Sequence, residues 1–225
     1  MANALLTSIA SENDPEHPYP YDELQRLRRS ARLDRFGKHD TTSNPAEADV
    51  IIYVESGYYN PIQHYFEVRK DKYYRPFQER CFLFSRYDYP VPILPGVYAS
   101  IPRRWYHPQR TRTGPHMLVQ DQGFIPDGPV REEKRYLYSF VGNRTSHPLR
   151  KKLFELNHPE QKLRDTSQHS PYGDLASDVK EELERRYITT CLRSKFVLCP
   201  RGSAVSSIRL FECLRMGCAP VIIAD

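Results

Sequence analysis

The run Ala48-Asp49-Val50-Ile51-Ile52-Tyr53-Val54 constrains the fold of this chain more than any other stretch. From Val50 onward every side chain is apolar or aromatic, over a length that suits a strand. A strand that is apolar on both faces needs cover on both, which is the condition of a parallel sheet lying between helices. Pro61 then opens a helical pattern through Ile62, Tyr65, Phe66 and Arg69, and Cys81-Phe82-Leu83-Phe84 follows as a second short buried strand. Strand, helix, strand in that order predicts a βαβ unit and an α/β fold class. Upstream, residues 21–36 carry Leu24, Leu27 and Ala31 at helical spacing on an otherwise charged segment, the pattern of an amphipathic helix.

The same grammar returns in the second half. Arg135-Tyr136-Leu137-Tyr138-Ser139-Phe140-Val141 is strand-like, and Gly142-Asn143-Arg144 ends it. A helix is predicted over residues 148–156, with Pro148 suited to its first position, and a polar loop over 157–173. A helix over 177–191, a strand over 195–199, a helix over 206–216 closed by Gly217, and a strand from Pro220 complete the series. Between the halves, residues 89–105 are a proline-rich loop, 117–120 a short strand, and 121–133 a stretch with Gly123, Pro126, Gly128 and Pro129. That stretch suits a linker, so domains 1–130 and 131–225 are expected. A doubly wound domain usually continues past the last strand seen here, so the second domain is read as incomplete.

Composition narrows the function classes. The 225 residues are 39% hydrophobic and 27% charged, enough for two modest packed units and unlike a disordered chain. The net charge of +5 is compatible with nucleic acid, anionic polymers or phosphorylated small molecules. Without a dense Lys/Arg block, zinc-finger spacing or an RNA-binding aromatic signature, nucleic acid is not the expected partner. The five cysteines, Cys81, Cys191, Cys199, Cys213 and Cys218, show no CxxC spacing and read as reduced, buried thiols with no metal site. The mild apolar run at residues 4–10 lacks a basic flank and is too short to span a bilayer. A soluble chain, cytoplasmic or peripheral to a membrane, is the expectation.

The strongest chemical signal is Ser194-Lys195-Phe196-Val197-Leu198-Cys199-Pro200-Arg201-Gly202, continued by Ser206-Ser207-Ile208-Arg209-Leu210-Phe211-Glu212. It reads strand, glycine-containing turn, helix N-terminus. Ligands of open α/β sheets sit at the carboxyl ends of strands, and a helix N-terminus offers unpaired N–H groups and partial positive charge to an anion. Gly202 permits close backbone approach, and Ser206 and Ser207 can cap the helix or bind phosphate oxygens. With Ser206 as N-cap, Arg209 falls in the first turn, where the helix dipole disfavours a cation by about 0.3–1 kcal/mol. A phosphate there reverses that sign. Glu212 has the paired acceptors needed for two ribose hydroxyls. The plainer alternative is a surface ion pair between Arg209 and Glu212, with Gly202 merely turning the chain.

From Phe140 to Asp225 these residues resemble the exostosin family, glycosyltransferase family 47. The family's pattern S-[KR]-F-x-L-C-P-R-G, S-S-x-R-[LF]-x-E and G-C-x-P-V-I-x-[SA]-D is matched by Ser194–Gly202, Ser206–Glu212 and Gly217–Asp225. Ser139-Phe140-Val141-Gly142-Asn143-Arg144 is similar to its F-x-G-x-R element, followed by the basic Leu149-Arg150-Lys151. Weaker likenesses lie at Asn44-Pro45-Ala46-Glu47-Ala48-Asp49 and Ile93-Leu94-Pro95-Gly96-Val97-Tyr98.

The resemblance implies a GT-B-like architecture of two Rossmann-like parallel-sheet domains, the second binding a nucleotide-sugar donor, here taken as a UDP-sugar. It implies inverting transfer to a glycan acceptor in polysaccharide or protein glycosylation, without a metal cofactor, in keeping with the lack of a D-x-D motif. In that scheme Arg144, Arg201 and Arg209 neutralise the diphosphate, Gly202, Ser206 and Ser207 add close contacts, and Glu212 holds the ribose. Planar guanidinium forks suit phosphate. Inverting transfer also needs a base; Glu55, just past the first buried strand, and Asp88, past the second, are candidates, although a loop or capping carboxylate is the commoner role at such positions. Tyr58, Tyr59, Trp105 and Tyr106 are candidate stacking surfaces for acceptor sugars. Association with other glycosyltransferases is a further expectation, and a Golgi lumenal site would require an anchor preceding this chain. The competing readings are a non-catalytic nucleotide-sugar or glycan-binding module and a basic protein binding anionic polymers.

Overall fold

The computed structural model describes residues 1–10, 18–55, 61–116, 122–168 and 176–224. The chain divides into two compact units, Met1–Met117 and Leu118–Asp225. Each is an α/β unit built on one sheet, and every strand pairing in both sheets is parallel. The α/β reading of the strand–helix order therefore holds on both sides.

The first unit contains β1 (Ala2–Thr7), α1 (Pro18–Arg32), β2 (His39–Thr41), β3 (Val50–Glu55), α2 (Pro61–Lys70), β4 (Cys81–Ser85), β5 (Gly96–Tyr98) and β6 (Thr111–Thr113). Their order across the sheet is β2-β1-β3-β4-β5-β6. Alternation along β3 sorts its side chains onto two faces. Ile51 and Tyr53 pack with Leu5, Cys81, Val68 of α2 and Tyr74. Ile52 and Val54 pack instead with Leu6, Phe84 and the Leu24–Leu27–Ala31 stripe of α1. A sheet with a core on each face requires its central strands to be apolar throughout, which is what the 50–54 run anticipates.

Several elements differ from the expected ones. The mild apolar run at residues 4–10 falls partly in β1, a strand inside the sheet, where Leu5 and Leu6 are buried on opposite faces. The helix predicted over 21–36 ends at Arg32, leaving Phe36 exposed. The proline-rich loop contains β5 and, at Arg103–Trp105, a single 3₁₀ turn. The strand predicted over 117–120 lies outside the described residues.

The second unit contains β7 (Tyr136–Gly142), α3 (Pro148–Leu153), β8 (Gln161–Asp165), α4 (Ser177–Leu192), β9 (Ser194–Pro200), α5 (Ile208–Arg215) and β10 (Ala219–Ile223), with strand order β10-β9-β7-β8. Strand β8 occupies what the sequence reads as polar loop; as an edge strand beside β7, half-exposed along much of its length, it needs little apolar content. One face of the sheet packs Val197 and Cys199 against Cys191 and Leu192 of α4 and Cys213 of α5, next to Met216. The other packs Phe140 and Leu198 against Leu153 of α3 and the adjoining Phe154. All five cysteines are buried and free.

Helix α5 ends as the sequence predicts. Gly217 has φ +68°, Cys218 N–H donates to the Cys213 carbonyl at 2.8 Å and Gly217 N–H to that of Leu214 at 3.2 Å, the paired bonds of a Schellman close. A Cβ at this position would lie 2.8 Å from Cβ of Pro129, in the glycine- and proline-rich stretch that packs here beside α5. Gly217→Ala therefore meets both a left-handed backbone and a clash, and is expected to cost about 1–2 kcal/mol, read as a lower urea midpoint of unfolding. Among the described residues, no helix is long and apolar enough to cross a membrane.

Candidate functional site

In open parallel sheets, ligands bind beyond the carboxyl ends of strands where the winding reverses direction. With an order of second, first, third, fourth strand, that reversal lies between the first and third strands of each unit. In the first unit it falls between β1 and β3, and in the second between β7 and β9. The chemistry at the two positions is opposite.

At the β1/β3 position stands Glu55, the last residue of β3 and 2% exposed. Its Oε1 accepts the Ile9 N–H at 2.9 Å and its Oε2 the Ser8 hydroxyl at 3.3 Å. The carboxylate thus ties the ends of the two strands together. Asp88 lies past β4 and is exposed, yet desolvation by surrounding protein raises its carboxyl pKa, with the neighbouring Arg86 opposing. Arg86 itself pairs with the buried Glu23 of α1 at 2.9 Å. Trp105 and Tyr106 are exposed, and the Arg104 guanidinium lies 5.0 Å from the Trp105 ring centroid. Tyr58 and Tyr59 lie outside the described residues.

At the β7/β9 position the groups are cationic. Phe140 of β7, fully buried, carries the Arg209 guanidinium 4.7 Å from its ring centroid and that of Arg150 at 5.4 Å. Phe154 meets Phe140 edge-on at 5.7 Å and has Arg144 over its own ring at 5.7 Å. Two aromatic rings thereby hold three guanidinium groups at one end of the sheet. Gly142 makes room for this: a Cβ there would lie 2.7 Å from Nη2 of Arg209.

Arg209 donates from Nη2 to the Val141 carbonyl at 2.6 Å, while its Nε and Nη1 are buried without an acceptor. Leaving charged donors unpaired in this way is costly. Burial opposes the charge, but Tyr187 and Glu212 nearby outweigh it and raise the guanidinium pKa above its ordinary value. No ion pair joins Arg209 to Glu212. Glu212 is instead buried on α5 and accepts a hydrogen bond from the Tyr187 hydroxyl of α4.

The N-cap of α5 is Ser207, one residue later than expected, so Arg209 is the second helical residue. The Ser207 side chain makes no capping bond, which leaves the hydroxyl uncommitted at a positive helix end. Ser206 precedes it, half-buried. Arg201 follows β9 and donates its backbone N–H to the Ile223 carbonyl at 2.9 Å. Gly202 is buried against the Arg150 guanidinium, which a Cβ at Gly202 would approach to 2.9 Å. Arg201, Gly202, Ser207 and Arg209 are thus brought to the β9–α5 corner. Arg144 stands off towards β8: its N–H donates to Asp165 Oδ1 and Ser167 Oγ, both at 3.1 Å, and its side chain is exposed.

Arg150 is the residue that sequence reasoning passed over. It lies in the basic trio Arg150-Lys151-Lys152, which resembles a solvated helix face, and Lys151 and Lys152 are indeed exposed. Only tertiary packing turns Arg150 inward. In the sequence Phe140 is one apolar residue of a strand-like run, and nothing local marks its ring as a seat for cations.

Comparison with known proteins places the chain in a family. Residues 106–225 match the family described as the Exostosin GT47 domain. The chain is 32% identical over 142 residues to Exostosin-1 of Drosophila melanogaster, an alignment covering 58% of this chain and 18% of that protein. It is 28% identical over 122 residues to an Exostosin-1 homolog of Caenorhabditis elegans, covering 49% and 32%. It is 34% identical over 97 residues to a probable glucuronoxylan glucuronosyltransferase, IRX7, of Arabidopsis thaliana, covering 43% and 21%. These alignments span between about a fifth and a third of the relatives' own lengths. The domain match takes in both sides of the cationic corner, and the chain belongs to the exostosin GT47 family.

Proposed function

We propose that this chain serves a glycosyltransferase that moves a sugar from a nucleotide-sugar donor to a glycan acceptor, and that its second unit holds the donor diphosphate. The observation that carries the reading is the contrast between the two strand-end positions. Glu55 occupies one with a buried carboxylate; Arg150 and Arg209 face the other from a shared ring, and Arg209 has two buried donors lacking acceptors. A diphosphate at the β7/β9 position would supply those acceptors and stand before the α5 N-terminus.

In this reaction the acceptor hydroxyl attacks the anomeric carbon, the bond from that carbon to the diphosphate oxygen breaks, and the hydroxyl proton passes to a base. Configuration inverts. Charge develops on the departing diphosphate, and fixed cations placed there beforehand lower the barrier. Arg209, Arg201, the Ser206 and Ser207 hydroxyls and the amides beside Gly202 take that role, with Arg144 at the outer edge and Glu212 directed to the ribose. Between the base candidates, Asp88 is favoured. Its carboxylate is exposed, where an acceptor hydroxyl can reach it, whereas both Glu55 oxygens already accept hydrogen bonds.

With arginines in charge of the diphosphate, transfer is expected to need no divalent metal. Donor turnover should persist after exhaustive EDTA treatment; loss of turnover restored by manganese would overturn the metal-free assignment. The donor assignment itself is tested by calorimetric titration of UDP and uridine: UDP should bind more tightly than uridine and lose that advantage in Arg209→Ala, and no binding of UDP would overturn it.

A further inference from the structure

We infer that Arg150 is a positioning residue for donor binding, shaping the β9 turn without ligating the donor. This rests on the diphosphate reading above. All three guanidinium nitrogens of Arg150 are spent on main-chain carbonyls: Nε donates to Arg201 O at 2.8 Å, Nη1 to Asn143 O at 3.2 Å and Nη2 to Pro200 O at 3.2 Å. Those oxygens lie at the last residue of β9 and on the first residues past β7 and β9, the two strands flanking the site.

Two consequences follow from this geometry. Left to themselves, carbonyl oxygens at the carboxyl ends of parallel strands present partial negative charge to the anion; three of them are here covered by one cation. In addition, a single planar fork spanning Asn143, Pro200 and Arg201 sets the separation of the two turns, and thereby where the amides around Gly202 point. A lysine carries the same charge on one nitrogen with no fork, so it cannot hold three carbonyls at two different strand ends in plane. Gly202 completes the fit, because any Cβ there would press on Nη2 and Cζ at 2.9 and 3.3 Å. Burial, helped by the positive charge of Arg209, pushes the Arg150 pKa down to about 10, still charged at neutral pH.

The test compares Arg150→Lys and Arg150→Met with Arg209→Ala, by titrating UDP and uridine and by amide hydrogen exchange over residues 201–203. Positioning predicts that both Arg150 variants weaken UDP by roughly tenfold or more, lysine included. It also predicts faster exchange of the Gly202 amide and little change in the salt dependence of UDP binding, since no phosphate contact is removed. If Arg150→Lys binds UDP like the wild type, the residue acts by charge and the inference falls. If Arg209→Ala weakens UDP while both Arg150 variants bind normally, the inference falls and the donor reading stands. If wild-type protein does not bind UDP, or Arg209→Ala leaves affinity unchanged, the donor reading falls and this inference with it.

Discussion

Arg209→Ala is expected to weaken UDP binding by roughly ten- to a hundredfold, the factor for losing charge-assisted hydrogen bonds worth about 1.5–3 kcal/mol, while uridine affinity changes little. The reason lies in where the charge already sits. Nε and Nη1 of Arg209 are buried without acceptors, so the cost of desolvating them is borne by the folded protein before any ligand arrives. A phosphate that draws the Arg209 side chain from this cover gains donors whose hydration has already been given up. For the same reason, truncation should cost the fold less than loss of a fully paired buried arginine, because two unsatisfied donors leave with it. Glu212→Gln is the companion variant. It keeps an oxygen for the Tyr187 hydroxyl, so the fold should survive, and it should weaken UDP and uridine alike because both carry the ribose. Titration of both ligands against both variants separates the roles. Wild-type affinities throughout would leave Arg209 and Glu212 as packing residues and remove the donor site from this corner.

Phe140→Ala is expected to lower the stability of the second unit by about 3–5 kcal/mol, the range for truncating a fully buried phenylalanine. Phe140 has no exposed surface, packs with Leu153 and Leu198, and meets Phe154 edge-on. Beyond packing, it is the ring over which Arg150 and Arg209 both lie. Cation–π contacts of about 0.5–2 kcal/mol each offset the repulsion of two like charges held close. Phe140→Leu separates the two effects. It keeps most of the apolar volume and should cost under about 1.5 kcal/mol of stability, yet it removes the aromatic face and should weaken UDP nearly as much as the alanine variant. Urea unfolding monitored by circular dichroism, with titration of the folded variant, checks both halves. Full UDP affinity in Phe140→Leu would show that the arginines keep their places without the ring.

The repeated strand–helix order, the apolar run at Val50–Val54 and the Arg201-Gly202 turn before α5 were legible because they rest on local chemistry. Buried central strands must be apolar on both faces, only glycine takes φ +68° at Gly217 without strain, and a helix after a tight turn follows from its own residues. The edge strands β2 and β8 and the short β5 were not legible. Their residues are polar or proline-flanked, and pairing with a neighbour, not intrinsic preference, makes them strands. Strand β1 was passed over because a six-residue terminal run is ambiguous until β2 and β3 flank it. At the site, the sequence alone marked Arg201, Gly202, Ser206, Ser207, Arg209 and Glu212 as one segment. Tertiary structure alone decided what each one faces. It set Glu212 against Tyr187 instead of Arg209, laid Arg144 over the Phe154 ring, and brought Arg150 from a separate helix onto carbonyls at the ends of two strands. Spacing along a chain fixes which residues share an element, but the direction of a long side chain is set by the acceptors and rings that packing places within its reach.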